Sequence, residues 1–395
     1  MNPAEAIVSS SGILLCLFMS LVLNKGKLRY EYMIFSCFLV TLTLFGRLNV
    51  NMLSLVLVIG LFLICRTVCF TKPMIFKLVL FFLLSIIFCG LSITNEATIL
   101  EAFFKAVKVF AIFLPLFFIN NNSRFDVFSI IKSFVITTPF VGVVYLWIVG
   151  WDSGIYNTIR FSGFLNDSNY FALTSLLFLM YLDFSELKST RYKTALVLFI
   201  FASQSFSIIT LLVLYAVLNS FKDIKYNAYF WSFAIAIIYI FLMFYLSAVL
   251  DLKPNDDYQT NAVSYKLNSI IFRLMAQLSA VSMMIEDASI IIFGYGGGKS
   301  IEIFGKVLHN SYMQMLFDNG ILLLFLVLFS ISYFAKRLMI PFSVLIVLLF
   351  VNLIFDAVFM FFITFFFICF SRRNAINSED TSEDLHRTTR PRLLI

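Results

Sequence analysis

Residues 228–249 form a continuous apolar run, AYFWSFAIAIIYIFLMFYLSAV, without a charged side chain. A helix needs about 20 such residues to cross the hydrocarbon core of a bilayer. Since lipid offers no hydrogen-bond partners, a crossing segment must satisfy its own backbone groups, which a helix does. We therefore predict a transmembrane helix here and in the other stretches of similar character: 7–23, 30–46, 50–65, 74–93, 97–119, 127–149, 169–184 and 313–334.

The composition of the whole chain has the same character. Of 395 residues, 61% are hydrophobic and 13% are charged, and the mean hydropathy is +0.96. A soluble domain carries roughly 25% charged residues, so a soluble enzyme, a disordered protein and a nucleic-acid binder are excluded. We predict an all-α, polytopic membrane protein in which residues 1–370 are one integral-membrane domain and 371–395 are a polar cytoplasmic tail.

Two apolar runs do not fit a single crossing. The run 194–218 is interrupted by the polar residues 203–205, and the run 340–370 is too long for one span. Basic residues flank both ends of each run, so both ends should be cytoplasmic and each run should contain two helices. We predict half-length helices that meet near 203–205, and short helices with an apex between Asn352 and Asp356. The predicted total is about 12 or 13 helices.

The same charge bias leaves residues 150–168 and 250–312 on the side opposite the cytoplasm. Within the larger loop, apolar residues from Leu267 to Ile285 recur at helical spacing and predict an amphipathic helix at the membrane interface. Arg273 falls off the apolar stripe, so we expect it on the water-filled side, near Gln277. The glycine cluster at 294–298 is predicted to end this helix.

Arg160 is the one basic residue in the loop 150–168. It could anchor the membrane interface by snorkelling, but the positive-inside bias does not explain a base on this side. A planar guanidinium binds phosphate through paired hydrogen bonds and keeps its charge. Arg160 together with Arg273 would suit a pyrophosphate.

Two further kinds of basic residue have more than one interpretation. His309 is one of two histidines in the chain and follows the glycine cluster. A single histidine is often structural, yet an imidazole can also accept or position a proton near neutral pH. Lys105 and Lys108 fall within the span 97–119, where a charge is costly and often functional, although both could snorkel to the surface.

The order of these motifs resembles a known family. A first outer-loop motif, Arg160-x-x-Gly163-x-x-x-Asp167-x-Asn169, precedes a span. The larger loop then carries, in order, Phe272-Arg273-Leu274, Phe293-Gly294-Tyr295-Gly296, His309-Asn310-x-Tyr312 and Asp318-Asn319-Gly320-Ile321. Over about residues 155–335, this series is similar to the O-antigen polymerase and O-antigen ligase superfamily.

The resemblance implies a membrane glycosyltransferase of the GT-C-like type. Arg160, Arg273 and His309 correspond to that family's two essential arginines and its histidine, and are the expected catalytic residues. Substrate-binding residues are expected beside them: Asn166, Asp167, Asn169, Asn310 and Tyr312. One departure is the Ser-Gln-Ser sequence at 203–205, where many members carry Ser-Arg, so a basic contact is absent there or supplied elsewhere.

The expected reaction is O-antigen polymerisation at the periplasmic face of a bacterial inner membrane. A growing glycan would pass from undecaprenyl pyrophosphate onto the next undecaprenyl-pyrophosphate-linked repeat unit. Pyrophosphate is already a good leaving group, and the sequence has no Asp-x-Asp or His/Cys cluster, so we expect neither a metal nor another cofactor. The expected partners are the lipid-linked oligosaccharide and membrane lipid, with a chain-length regulator protein as a further candidate and no nucleic acid.

Two other functions remain open at this point. An O-antigen ligase, which passes finished polysaccharide to lipid A–core, shares the motifs. A flippase for the same lipid-linked unit should carry charges within its spans and have short outer loops. This chain instead concentrates polarity in one loop of about 60 residues, and loops of that length are usually functional.

Overall fold

The computed structural model describes residues 3–23, 30–41, 72–95, 98–119, 126–149, 161–165, 167–185, 189–220, 224–250, 262–305, 308–355 and 362–370. Within these ranges all regular secondary structure is helical, and no strand occurs. The all-α fold expected from the apolar runs is therefore confirmed for the described part of the chain.

The helices of the first half follow the predicted spans closely. They are α1 (Pro3–Leu23), α2 (Tyr30–Thr41), α3 (Lys72–Gly90), α4 (Ile99–Phe117), α5 (Val127–Val149) and α6 (Ser168–Phe184). A 3₁₀ turn, Leu91–Thr94, extends α3. The predicted span 50–65 lies outside the described residues.

The second half contains more and shorter helices. They are α7 (Thr190–Ala202), α8 (Phe206–Asn219), α9 (Ala228–Val249), α10 (Ala262–Glu286), α11 (Ser289–Phe293), α12 (Lys299–Phe304), α13 (Ser311–Arg337), α14 (Phe342–Ile354) and α15 (Phe362–Phe370). The predicted helix in the large loop is α10.

Both irregular runs divide into two helices, as predicted. The first breaks between α7 and α8, where Gln204 has φ +50°, a left-handed conformation that an α-helix cannot accommodate. In the second, α14 ends at Ile354, within the predicted apex, and α15 begins at Phe362; residues 356–361 lie outside the described residues.

Four helices in the described ranges are long and apolar enough to cross a membrane: Lys72–Ile93, Val127–Val144, Ala228–Val249 and Ser311–Arg337. Shorter apolar helices accompany them at Ser10–Leu23, Phe206–Asn219 and Phe342–Ile354. The chain is therefore a membrane protein by length and composition of its helices, and the total of 12 or 13 transmembrane helices stays a prediction.

The long helices differ in what surrounds them. Phe76 on α3 and Phe241 on α9 are exposed, as are many of their apolar neighbours, whereas α13 is buried along most of its length. An apolar helix with exposed large side chains is suited to contact with lipid. Helix α13 is therefore central, and its first turns carry the motif that begins at His309.

The glycine cluster does not end α10, contrary to the sequence prediction. The helix stops at Glu286, and the Asp287 carboxylate accepts a hydrogen bond from Ser289 N at 2.9 Å. This bond starts the short helix α11 in place of another turn of α10. Hydrogen bonds from Ser289 also lower the pKa of Asp287. Gly294, with φ +81°, instead ends α11.

Candidate functional site

The first outer-loop motif is anchored in the aromatic core. Gly163 adopts φ +58°, and a Cβ there would lie 2.6 Å from the Phe171 ring. The turn places Phe164 in the interior, where its ring centroid is 5.7 Å from that of Phe134. Glycine is needed at 163 because both the conformation and the space exclude a side chain.

Asp167 caps the helix that follows. Its Oδ1 accepts hydrogen bonds from Asn169 N at 2.7 Å and Tyr170 N at 3.4 Å. Such a cap satisfies backbone donors that the first turn of a helix leaves without partners. Asp167 therefore fixes the start of α6.

The first motif also contacts the break between α7 and α8. Ser205 Oγ donates to Asn169 Oδ1 at 2.8 Å, and Phe161 N donates to Ala202 O at 3.1 Å. The break thus lies directly against the motif. Two of the predicted site residues, Arg160 and Asn166, lie outside the described residues.

His309 is in a strained conformation at the start of α13. Its φ is +51°, which costs a non-glycine residue roughly 1–2 kcal/mol. A strained conformation persists only where the surrounding structure holds it in place. Such conformations are often found at functional sites.

The residues after His309 join α13 to the end of α14. Asn310 Oδ1 accepts from Tyr312 N and Met313 N, each at 2.9 Å, and its Nδ2 donates to Leu353 O at 2.9 Å. The hydroxyl of the fully buried Tyr312 donates to Leu349 O at 3.0 Å. The structure thus gives Asn310 and Tyr312 roles in bracing the fold, and their predicted contact with substrate stays a prediction.

Helix α10 turns its Arg273 face towards the His309 segment. Gln277 lies four residues after Arg273 on the same face, and its Nε2 donates to Leu308 O at 2.9 Å. Tyr239 OH donates to Gln277 Oε1 at 2.7 Å. Gln277 is 5% exposed because these two hydrogen bonds draw it inward, whereas the water-facing position of Arg273 stays a prediction. Arg273 itself is half-buried.

This contact is recessed within the bundle. Tyr239 lies near the middle of α9, Ala228–Val249. At about 1.5 Å per residue, the Tyr239–Gln277 contact is therefore roughly 16 Å along the helix from Ala228. This contact is therefore level with the middle of α9.

The glycine turn packs onto the same region of α13. Tyr295 N donates to Phe317 O at 2.7 Å, and Gly296 N donates to Asp318 O at 3.0 Å. A Cβ on Gly294 would lie 2.5 Å from the backbone of Asn319. The close approach of the two backbones requires glycine at this position.

Asp318 fixes the end of the glycine turn. Its carboxylate accepts from Gly298 N at 3.3 Å, from Ser300 N at 3.1 Å and from Gln314 Nε2 at 2.6 Å. Lys105 provides a nearby positive charge, and a Cβ on Gly297 would lie 3.7 Å from the Lys105 Cβ. Lys105 is thus placed beside the glycine turn.

An aromatic contact links the first motif to the His309 segment. The rings of Tyr170 and Phe355 lie 5.9 Å apart, and Ser311 Oγ donates to Phe355 O at 2.8 Å. The structure therefore gathers most of the predicted site residues into one contiguous region: Asp167, Asn169, Arg273, His309, Asn310 and Tyr312.

Three residues of this region were not predicted as site residues: Gln277, Gln314 and Asp318. Each is a buried polar residue in a mainly apolar segment. A polar residue within an apolar segment, together with the Asp318-Asn319-Gly320 motif, is the sequence feature that could have identified these residues.

The region offers an imidazole, a guanidinium, amides and hydroxyls in a largely apolar surrounding. Among the described residues, no three His, Cys, Asp or Glu side chains are grouped as they would be around a metal ion. Comparisons of the chain with protein families, curated proteins and solved structures found no match.

Proposed function

We propose that this chain is a membrane glycosyltransferase that polymerises O-antigen on undecaprenyl pyrophosphate, with its active face in the periplasm of a bacterial inner membrane. One observation carries the proposal. The face of α10 that bears Arg273 contacts the segment that bears His309, through the hydrogen bond from Gln277 to Leu308 at 2.9 Å. A cation and a base are thereby held on neighbouring segments in a recessed polar region.

The residues fit a transfer between two lipid-linked substrates. A hydroxyl of the acceptor sugar attacks the anomeric carbon of the donor glycan, and the bond from that carbon to the pyrophosphate oxygen breaks. His309 takes the proton of the hydroxyl. Arg273, together with Arg160, stabilises the negative charge that develops on the departing undecaprenyl pyrophosphate.

The position of Arg160 in the sequence supports its part in this scheme. Phe161, the next residue, is bound to Ala202 at the helix break, and Ser205 across the break is bound to Asn169. The first motif continues through Tyr170 to Phe355 and so to the His309 segment. We propose that the guanidinium of Arg160 reaches the same pyrophosphate as that of Arg273.

The surroundings suit substrates with long polyprenyl tails. Exposed apolar side chains cover α3 and α9, so lipid can approach the bundle along these helices. A recessed site also excludes bulk water, which strengthens the attraction between an arginine and a phosphate. Because glycosyl transfer competes with hydrolysis, the exclusion of water also protects the donor.

The test is the lipopolysaccharide of a strain that lacks this chain. Loss of a polymerase leaves one repeat unit on lipid A–core, whereas loss of a ligase leaves core without O-antigen and glycan on undecaprenyl pyrophosphate in the periplasm. Loss of a flippase leaves that glycan at the cytoplasmic face. We expect the first pattern, and either of the others would replace the proposal.

Complementation then tests the residues. The unchanged chain should restore the full ladder, while His309→Ala and Arg273→Lys should leave one repeat unit on core. Ser279→Ala, an exposed position on the same helix as Arg273, is the matched control and should restore the ladder.

A further inference from the structure

A cleft of about 500 Å³ lies at the opposite end of α13 from the candidate site. It is formed where α9 begins, α13 ends and α14 begins. Its lining residues are Ile224, Lys225, Tyr226, Asn227, Ala228, Tyr229, Ala335, Lys336, Met339, Ile340, Pro341 and Phe342. Helix α13 starts at Ser311, in the candidate site, and ends at Arg337, beside the lining residue Lys336. None of the lining residues belongs to the candidate site, so the two sites are separate.

The charge in the cleft is positive. Lys225 and Lys336 line it and are both exposed, and no acidic residue is among the described residues that line it. The neighbouring Arg337 is turned to α4, where its guanidinium donates to Ile119 O at 3.0 Å and Phe117 O at 3.4 Å. The two lysines therefore make the cleft suitable for an anion.

The walls of the cleft are tied together without a ligand. The hydroxyl of Tyr226 donates to Ile340 O, and the rings of Tyr226 and Phe342 lie 5.4 Å apart. The ring centroid of Trp231 also lies 5.4 Å from that of Phe342. Asn227 caps α9 by accepting from Tyr229 N at 3.0 Å. A ligand would therefore enter a shape that already exists, at little cost in ordering.

Exposed apolar side chains lie beside the two lysines, in the cleft and on the helices that flank it. Ile224 and Met339 are each 50% exposed, and Phe230 and Phe329 are 61% and 53% exposed on the flanking helices. Tyrosine and tryptophan at the end of a spanning helix are typical of the boundary between headgroups and acyl chains. The surface thus passes from cationic to apolar over a short distance, which matches an amphiphile.

We infer that this cleft binds the phosphate headgroup of an anionic phospholipid, with Lys225 and Lys336 on the phosphate and the acyl chains along Phe230 and Phe329. Basic clefts between helices at the membrane surface recognise such headgroups. The inference does not depend on the proposed glycosyl transfer.

Native mass spectrometry of the full-length chain in detergent tests this site with two lipids of equal acyl chains, phosphatidylglycerol and phosphatidylcholine. The unchanged chain should retain phosphatidylglycerol preferentially. Lys225→Gln/Lys336→Gln should weaken that binding by roughly 25-fold, about fivefold for each lysine. Lys225→Arg/Lys336→Arg keeps both charges and should retain it.

The matched control removes two lysine charges that lie outside the cleft. Lys77 is bound to Tyr333 at 3.0 Å and Lys132 lies over the ring of Phe128 at 4.3 Å, and neither lines the cleft. Lys77→Gln/Lys132→Gln should bind phosphatidylglycerol as the unchanged chain does. An equal loss in this control, or equal binding of phosphatidylcholine, would overturn the site. Displacement of the lipid by an equal concentration of glycerol 3-phosphate would show that the ligand is a soluble phosphate.

Discussion

Gln277 and Gln314 hold the two backbone polar groups of the same residue, Leu308. Gln277 Nε2 donates to Leu308 O at 2.9 Å, and Leu308 N donates to Gln314 Oε1 at 2.8 Å. One glutamine is on the helix that carries Arg273 and the other is on the helix that follows His309. The pair therefore fixes the residue before His309, whose own φ is +51°.

Replacement of Gln277 should disturb both stability and catalysis. Gln277→Leu removes the hydrogen bonds that Gln277 makes with Leu308 O and Tyr239 OH, and an unsatisfied buried polar group costs about 1–3 kcal/mol. We expect a lower free energy of unfolding in a denaturant titration and a lower kcat with a smaller change in KM. Ser279→Ala, exposed on the same helix, is the control. Equal unfolding free energies and equal kcat values in the two variants would show that the hydrogen bonds of Gln277 have no such role.

Two glycines with positive φ should respond differently to alanine. Gly320 has φ +76° and a Cβ there would lie 2.3 Å from Ile292 O, whereas Gly298 has φ +89° with no atom within 4 Å of a Cβ. Gly298→Ala should therefore cost only conformational strain, roughly 1–2 kcal/mol. Gly320→Ala adds an overpacking cost of about 1–3 kcal/mol.

The measurement is the free energy of unfolding of both variants under the same conditions. Gly320→Ala should be clearly the less stable protein. Equal losses would mean that the backbones of α11 and α13 are not as close as the structure places them.

The rate of polymerisation should fall at low pH if His309 removes a proton. Only the neutral imidazole can act as a base, so activity should be lost at a pH low enough to protonate His309. His309→Ala should lower kcat by roughly 10²–10⁴. His309→Gln could retain part of the activity only if the ring orients the sugar by donating a hydrogen bond. A pH profile of His309→Gln with the same loss of activity at low pH would assign the titration to another group.

Lysine should not replace Arg273. A compact ammonium keeps the charge but cannot form the paired hydrogen bonds of a guanidinium with a pyrophosphate. We expect Arg273→Lys to lose most of its kcat while its unfolding free energy stays close to that of the unchanged chain. The same result is expected for Arg160→Lys. Full activity of either variant would reduce the role of that arginine to a general positive charge.

Thiol labelling tests the predicted topology. Glu302 on α12 and Lys336 at the end of α13 are both exposed, and Cys16, Cys37, Cys89 and Cys369 are buried, so a new cysteine can be labelled selectively once the other cysteines, at 65 and 69, are replaced. An impermeant maleimide should label Glu302→Cys in intact spheroplasts and Lys336→Cys only after lysis. The reverse pattern would invert the assignment of the periplasmic face.

Much of the fold follows from local features of the sequence. An apolar run of about 20 residues predicts a spanning helix because length and hydropathy suffice for it. The break near Ser203 was also predictable, since polar residues at that depth and basic residues at both ends favour two helices over one. The end of α10 was mistaken because the turn depends on Asp287 and Ser289, while the glycines that looked decisive end the next helix.

The candidate site was predictable only in part. Its residue types were identified from motif order, but the inward turn of Gln277 depends on Leu308 and Tyr239, which are 31 and 38 positions away. Helical periodicity places Arg273 and Gln277 on one polar face, but it contains no information on the distant partners that draw Gln277 inward. The link from Gln314 to Asp318 was missed although the two are four residues apart, since an isolated polar pair in an apolar run does not reveal what it binds.

The most direct test of the proposed function is polymerisation by the purified chain. Synthetic undecaprenyl-pyrophosphate-linked repeat units, supplied as both donor and acceptor, should be converted into a ladder of longer glycans with release of undecaprenyl pyrophosphate. His309→Ala and Arg273→Lys should release neither product above background, while Ser279→Ala should match the unchanged chain. A folded, unchanged chain that forms no ladder, or a His309→Ala variant that forms it at the full rate, would contradict the account.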